Sequence, residues 1–462
     1  MKNYILNKKY CTAFTIVLMM FASLFFNACD NNDSGSDYSG PIAISKVFLE
    51  DVNSSVPDRQ VPFARLGQLI RVEGTGFEGL KKVYINGFDT YFNVVYISNR
   101  SMLISVSEDT PTIDADPAVR NTIRFVNAGN EVVFPFEIRS AAPSITSISN
   151  TMPKAGEMIT VYGTGLTEVK KVVFPGNVAV TNGITSDEDG EFFTVTMPAG
   201  VATTGGSLLV ESANGGAYSP AYFNFKKGVI LDFDGSGTHG FWGSDVGMIK
   251  DVDLESAAIG MGSISQGKYA PHRPARIASF AAGTNRCSET WTAGTGTDNW
   301  RGQLTPYIPA TTPLNQVGFQ FDIYVPEEWT NTGYLKICLI NNFNGGAWAG
   351  GLYNFVPWLD NEGKIVPFKT AGWQTITVPL TKFYSYADPD AEFTFEDVLA
   401  FREAATYQNF GIWFENSNVK LSNVIGGSSE VEFPSSATSV KVYTDNWRIV
   451  SLETPTYSDF PN

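Results

Sequence analysis

The sequence predicts an all-β protein made of sandwich domains in series, and three observations carry the prediction. Short apolar runs are separated by Gly, Asn and Pro, and no helical period lasts beyond a turn or two. A stretch of the first half returns 89 residues later. All nine Trp of the 462 residues lie between Trp242 and Trp447, so composition divides the chain into a Trp-free part and a Trp-rich part.

At about 150 residues per domain, the length allows roughly three domains. Lys and Arg number 32 against 47 Asp and Glu, a formal charge of −15. That sign argues against nucleic acid or an anionic membrane surface as partner, since both reward a basic face. Only 17% of residues are charged while 13% are aromatic, which argues against disorder. Two His and four Cys leave little material for a zinc site or a histidine relay.

The N-terminus reads as an address. Lys2, Lys8 and Lys9 precede the apolar run Thr12 to Phe26. Those 15 residues are too few to span a bilayer, which takes about 20, but they suit a signal-peptide core. Phe-Asn-Ala-Cys ends at Cys29, and the polar stretch DNNDSGSDYSG follows. This resembles a bacterial lipobox, with Phe26 where Leu is usual and Asn27 where a small apolar residue is usual. The resemblance implies cleavage after residue 28, lipidation of Cys29, and a surface-export signal in Asp30 and Asp33. Loss of residues 1–28 removes three Lys and no acid, taking the charge to −18. Cys287 and Cys338 then remain in an oxidising compartment, where disulfides persist. A disulfide and two buried thiols are both open.

The first half holds the repeat. GQLIRVEGTGFEGLKKVYINGF from Gly67 and GEMITVYGTGLTEVKKVVFPGN from Gly156 stay in register over 22 positions. Each unit closes with two strand-like runs about a Gly/Asn turn, from Asn121 and from Gly206. A period near 90 is too long for a solenoid and suits an immunoglobulin-like sandwich of about 100 residues. PSITSISNTMPKAGEMITVYGTGL from Pro143 resembles the IPT/TIG version of that fold: a Pro-led first strand, a Gly before the apolar alternation, and a GxGF-type turn, with Phe77 in the first copy and Leu166 in the second. The resemblance implies two sandwiches, 41–140 and 141–227, after a linker at 29–40. Neither shows chemistry, and the paired Lys81-Lys82 and Lys170-Lys171 read as solvated edges; the pair of domains reads as a spacer.

From residue 228 to 462 the texture changes. Strand-like runs begin at Val317, Tyr334, Gly372, Phe410 and Ser439, with loops rich in Gly, Asn and Trp between them. Antiparallel strands with long loops predict a larger jelly-roll-like sandwich. GWQTITVPL and VYTDNWRIV resemble strands of carbohydrate-binding modules, the latter carrying a D-N-x-R phrase. Trp373, Trp413 and Trp447 sit in alternating strands and read as core; Trp329 reads as a loop anchor. Trp291 and Trp300 lie in one polar loop, and Trp348 and Trp358 flank another that holds Tyr353. A sugar presents axial C–H faces that stack on aromatic planes for about 1 kcal/mol each. Asp298, Asn299, Arg301, Asn341, Asn342 and Asn344 would bond the equatorial hydroxyls. The sequence therefore nominates Trp291, Trp300, Trp348, Tyr353, Trp358, Asn299, Arg301 and Asn344 as a glycan site.

Catalysis finds little support. A glycosidase needs a carboxylate pair, yet neither E-x-D-x-x-E nor a G-x-S-x-G elbow occurs, and His239 and His272 have no sequence-local triad partners. No cofactor is required. Asp232, Asp234, Ser236 and Gly237 match positions of a calcium loop without its terminal Glu; a structural Ca2+ using them and Asp445 is the one metal alternative.

Lipidated N-terminus, tandem IPT/TIG-like domains and Trp-rich sandwich together resemble the surface glycan-binding lipoproteins of Bacteroidota polysaccharide-utilisation loci, of the B type. The resemblance implies non-catalytic capture of a plant β-glycan such as xyloglucan, at the cell surface, for an outer-membrane glycan importer complex. It implies a membrane contact through the lipid anchor and no nucleic acid. A lipoprotein glycoside hydrolase and a structural or adhesive surface protein are the alternatives.

Overall fold

The computed structural model describes residues 40–51, 58–241, 247–259, 267–293, 298–341, 351–423 and 431–457. Predictions about Cys29, Asn342, Asn344 and Trp348 lie outside them. No helix of the described residues is long and apolar enough to cross a membrane. The chain forms two compact units that meet between Ser140 and Ala141.

The first unit is a sandwich of two four-stranded antiparallel sheets. One is built from Arg59–Gln60, Ala43–Leu49, Leu69–Thr75 and Ser101–Ser105, the other from Phe88–Thr90, Leu80–Ile85, Thr122–Asn127 and Glu131–Pro135. Alternation decides the faces: Ile70 and Val72 are buried between the sheets, while Arg71 and Glu73 point away.

The second unit begins with the other copy. Its strand Met158–Thr164 begins and ends 89 residues after Leu69–Thr75, with Ile159 and Val161 buried in turn. Both copies have a bulge in the preceding strand, between Ile44 and Lys46 and between Ile145 and Ser147. The repeated G-T-G explains itself at this point. A Cβ on Gly74 would fall 2.0 Å from the Ala43 carbonyl oxygen, and one on Gly163 would fall 1.9 Å from that of Ser144. Only glycine lets the bulged strand lie that close. Phe77 and Leu166, after the turn, plug their respective cores with no exposure.

A single turn, Lys226–Gly228, separates the last strand of this copy, Phe223–Phe225, from the next sandwich. There, Val229–Leu231, Tyr443–Ser451, Val317–Tyr324 and Gln374–Pro379 form one antiparallel sheet, with Ala270–Pro271 also on Tyr443–Ser451. His239–Gly240, Thr284–Thr292, Gly411–Asn416, Tyr334–Cys338 and Leu352–Phe355 form the other. Phe319 and Phe321 of the first sheet meet Phe410 and Phe355 of the second at 4.6 and 5.7 Å between ring centres. Two short helices cover the ends: α1, Trp300–Leu304, capped by Asn299, and α2, Phe395–Ala404, opened by a Thr394/Asp397 capping box.

The D-N-x-R phrase serves the core. Arg448 is fully buried and donates to Asp322 (2.9 Å), Gln320 (3.1 Å) and Thr375 (3.1 Å) of its own sandwich. It also donates to Thr151 of the preceding copy (2.8 Å). A charge this deep needs such pairing, and here the pairing also fastens the preceding sandwich to the last one. Asp445, beside it, is pushed well above the usual carboxylate range, by burial first and by Asp322 second. Cys287 and Cys338 are free, buried thiols, raised by burial to about 11 and about 12; they form no disulfide.

Candidate functional site

Strand alternation gives the second sheet of the C-terminal sandwich an unusual outer face. Ile412 and Phe414 enter the main core, so Trp413 and Glu415 point the other way. On the neighbouring strand, Glu289 and Trp291 do the same, because Glu289 is paired with Trp413 and Trp291 with Gly411. The two indoles lie 5.8 Å apart at 33°. A Cβ on Gly411 would fall 2.2 Å from the Trp291 ring, so glycine is what seats that ring on the sheet.

Each indole N–H points at a carboxylate two residues away on its own strand: Trp291 to Glu289 at 2.9 Å, Trp413 to Glu415 at 2.8 Å. Each carboxylate also holds a cation, Arg286 on Glu289 and Lys336 (3.0 Å) on Glu415. Lys336 is 5.9 Å from the Trp413 ring centre, and cross-strand from it sits Asn354, half-buried. Met248 and Cys338 complete the small apolar cluster with the two Trp. The indoles and carboxylates are buried, so this side of the sheet presents the partly exposed Arg286, Lys336 and Asn354 above a fixed aromatic and acidic base.

The nominated residues do not form one platform. Trp291 belongs to this face, but it is fully buried and so is no open loop platform. Trp300 is buried too: it begins α1, packs on Phe410 at 5.6 Å, and lies 3.8 Å beneath the Arg402 guanidinium. Trp358 has no exposure and donates to the Gly333 carbonyl at 2.7 Å, beyond the opposite end of the sheet. These two rings stop the ends of the core, which is why they stand in loops. Tyr353 faces inward against Phe383 at 5.8 Å, because the alternation that exposes Asn354 turns its neighbours in. Trp373, Trp413 and Trp447 are buried as expected, but Trp413 lies on the outer face and not in the main core. Trp329 is a buried anchor, donating to the Thr332 carbonyl at 2.8 Å.

Asp298, Asn299 and Arg301 do come together, with Arg402, Glu403 and Gln408, around a cavity of about 110 Å³. That is well below the roughly 300 Å³ of ordinary ligand pockets. Their groups are also committed: Asn299 caps α1, Asp298 pairs with Arg402 at 3.0 Å, and Arg301 is clamped by Glu396 (2.7 Å) and Glu403 (2.7 Å). Those two hydrogen-bonded carboxylates raise the Arg301 guanidinium further above its ordinary range.

His239 does have relay partners in space, Asp251 on Nδ1 at 2.8 Å and Thr290 on Nε2 at 2.9 Å. Thr290 is fully buried, so no substrate reaches its hydroxyl, and burial lowers the imidazole against the opposing pull of Asp251. His272 is buried and lowered to about 3 by burial, hence neutral. Asp232 spends its carboxylate on the amides of its own turn, Asp234, Gly235 and Ser236, at 2.8–3.0 Å. Among the described residues no group of three or more His, Cys, Asp or Glu is arranged to hold a metal.

Sequence reasoning missed Glu289, Trp413, Glu415, Lys336 and Arg286. The available signal was the mirrored pair E-x-W at 289–291 and W-x-E at 413–415, which antiparallel strands can bring to one face.

Two buried Trp, tilted at 33° to each other, thus lie among ion-paired carboxylates on the outer side of a β-sandwich sheet. Residues 223–451 match the family model of the surface glycan-binding protein B xyloglucan binding domain. That match covers just under half of the chain and coincides with the C-terminal sandwich. An IPT/TIG domain-containing protein of Bacteroides ovatus is 25% identical over 322 residues, 70% of this chain and 55% of that protein; the chain thus spans about half the length of the curated relative it matches. The crystal structure of a surface glycan-binding protein B from Prevotella bryantii is 18% identical, with a TM-score of 0.61 over 90% of this chain and all of that one. That likeness establishes the shared fold. A protein of the same type, from a complex xyloglucan utilisation locus of Bacteroides uniformis, is 18% identical with a TM-score of 0.45, over 89% of this chain and all of that one.

Proposed function

We propose that this protein binds a β-linked plant polysaccharide, xyloglucan or a related β-glucan, at the bacterial cell surface without cleaving it. The observation that carries the reading is the Trp291–Trp413 pair with Glu289, Glu415, Arg286 and Lys336 on one sheet face, inside the span that matches a xyloglucan-binding family. The buried indoles and carboxylates form the rigid base of this face, and the partly exposed Arg286, Lys336 and Asn354 above them are the groups that reach sugar hydroxyls and ring oxygens. Trp348, in the segment between Asn341 and Gly351, is the nominated loop aromatic for the same ligand, with Asn344 beside it in sequence. The lipobox-like N-terminus supports anchoring through lipid on Cys29 in the outer membrane, and residues 41–227 then carry the binding domain outward. An outer-membrane glycan importer is the partner that receives the chain. This reading needs no cofactor and no catalytic residue.

The test is an affinity gel with xyloglucan, mixed-linkage β-glucan, mannan and xylan. Xyloglucan or β-glucan retards the full protein, and Lys336→Ala and Trp348→Ala reduce the retardation. No retardation by any of the four overturns the reading, and new reducing ends after incubation overturn its non-catalytic part.

A further inference from the structure

The outer face of the first unit's sheet, Arg59–Gln60 with Ala43–Leu49, Leu69–Thr75 and Ser101–Ser105, carries a feature that the spacer reading does not use. Beside it runs the connection from residue 91 to residue 97. Tyr91 is 84% exposed, Tyr96 59%, and Val94 and Val95 between them 70% and 77%. The segment has defined shape: Asn93 caps a 3₁₀ turn over Val94–Tyr96 by accepting from the Val95 amide at 3.0 Å. Tyr96 and Val95 form one wall of a groove of about 550 Å³, with Ser98, Ser101 and Leu103 along it.

Arg71 forms the groove's floor, stacked 4.4 Å from the Phe48 ring. It is gathered by three carboxylates, Glu50 at 2.6 Å, Asp58 and Glu73. The Glu50 hydrogen bond is the main influence raising the guanidinium, so the floor holds one fixed cation among three acids.

The sister copy shows that the fold does not demand this. Position 160, 89 residues on from Arg71, is Thr, and the connection 181–191 contains no aromatic residue. Its one large apolar side chain, Ile184, packs against the core. The exposed rings therefore belong to one copy of the repeated frame and are not required by it.

The occupant is narrowed by charge. Three acids to one base repel uronates, phosphates and anionic lipid, and a second copy of a chain with net charge −15 meets the same repulsion. A neutral chain of sugars suits every element: rings for its C–H faces, carboxylates for its hydroxyls, an open groove for a polymer that continues past it. We propose that Tyr96, assisted by Tyr91 and by the Arg71 carboxylate cluster, forms a second glycan contact on the first unit. It rests on the glycan-binding reading above. The linked contact raises avidity for long chains and adds nothing for a short oligosaccharide that the main site already fills.

The experiment uses the full-length protein with polymeric xyloglucan and, separately, a xyloglucan heptasaccharide. The double variant Tyr91→Ala/Tyr96→Ala raises the Kd for polymer roughly three- to tenfold and leaves the heptasaccharide Kd unchanged. Tyr96→Phe, which keeps the ring, retains the wild-type polymer Kd. Amide exchange across residues 91–103 slows when polymer is added to the wild type. A wild type that binds polymer with no slowing there, or an unchanged polymer Kd in the double variant, overturns the second contact while the main site stands. Slowing only with an added protein partner overturns it in favour of protein docking. A wild type that binds neither probe removes both readings.

Discussion

Replacing Arg448 with Ala is the sharpest test of how the last two sandwiches hold together. The guanidinium has no exposure and donates to Asp322, Gln320, Thr375, Thr151 and the Asn446 carbonyl. Asp322 is itself 3% exposed at the side chain and would be left as a buried charge with only Thr375 (2.8 Å) and Asn446 (2.9 Å) donating to it. Removing one partner of a buried pair costs about 3–5 kcal/mol. At roughly 2 °C per kcal/mol for a large domain, the unfolding midpoint of the second unit falls by about 6–10 °C. Calorimetry and denaturant titration of the full protein measure the change. A companion variant, Arg448→Met with Asp322→Asn, removes both charges and recovers at least half of the loss, because no ion is then stranded. A loss below about 1 kcal/mol for Arg448→Ala would refute the reasoning, since the network would then be solvated and not structural.

Three further outcomes follow from the same structure. Asp445 is raised in the folded state, so its contribution is whole below the unfolded value near 4 and is lost as pH climbs toward the folded value; Asp445→Asn removes that loss and lifts the midpoint at pH 7 relative to pH 4. Gly74→Ala and Gly163→Ala each force a carbonyl to move from a clash near 2 Å, costing about 1–3 kcal/mol in their own units, measured by denaturant midpoints. Trp300→Ala empties a buried site beneath Arg402 and costs about 3–5 kcal/mol, yet the folded protein retains its polysaccharide affinity in the gel.

Sequence alone was sufficient for the architecture because the determinants are local. Alternation at Leu69–Thr75 names which residues face inward, and its return at Met158–Thr164 announces a second copy of the same frame. The family phrases, G-T-G and D-N-x-R, were legible as resemblances, though their physical work, a close strand approach and a buried cation, required the fold.

The site was less legible. Trp300 and Trp358 stand in polar loops, yet the loops fold back so that both rings close the ends of the core. Trp413 has the pattern of a core residue because a sheet has two faces, and alternation cannot say which is the inner one when both are covered. Register decided it: pairing Glu289 with Trp413 and Trp291 with Gly411 brings distant indoles and carboxylates together. Sequence thus determined that this is a chain of β-sandwiches ending in an aromatic-rich one, because strand periodicity and repeat length are written residue by residue. Only the tertiary structure decided which aromatic rings hold the fold and which stand with the polar array, because that depends on the strand lying alongside.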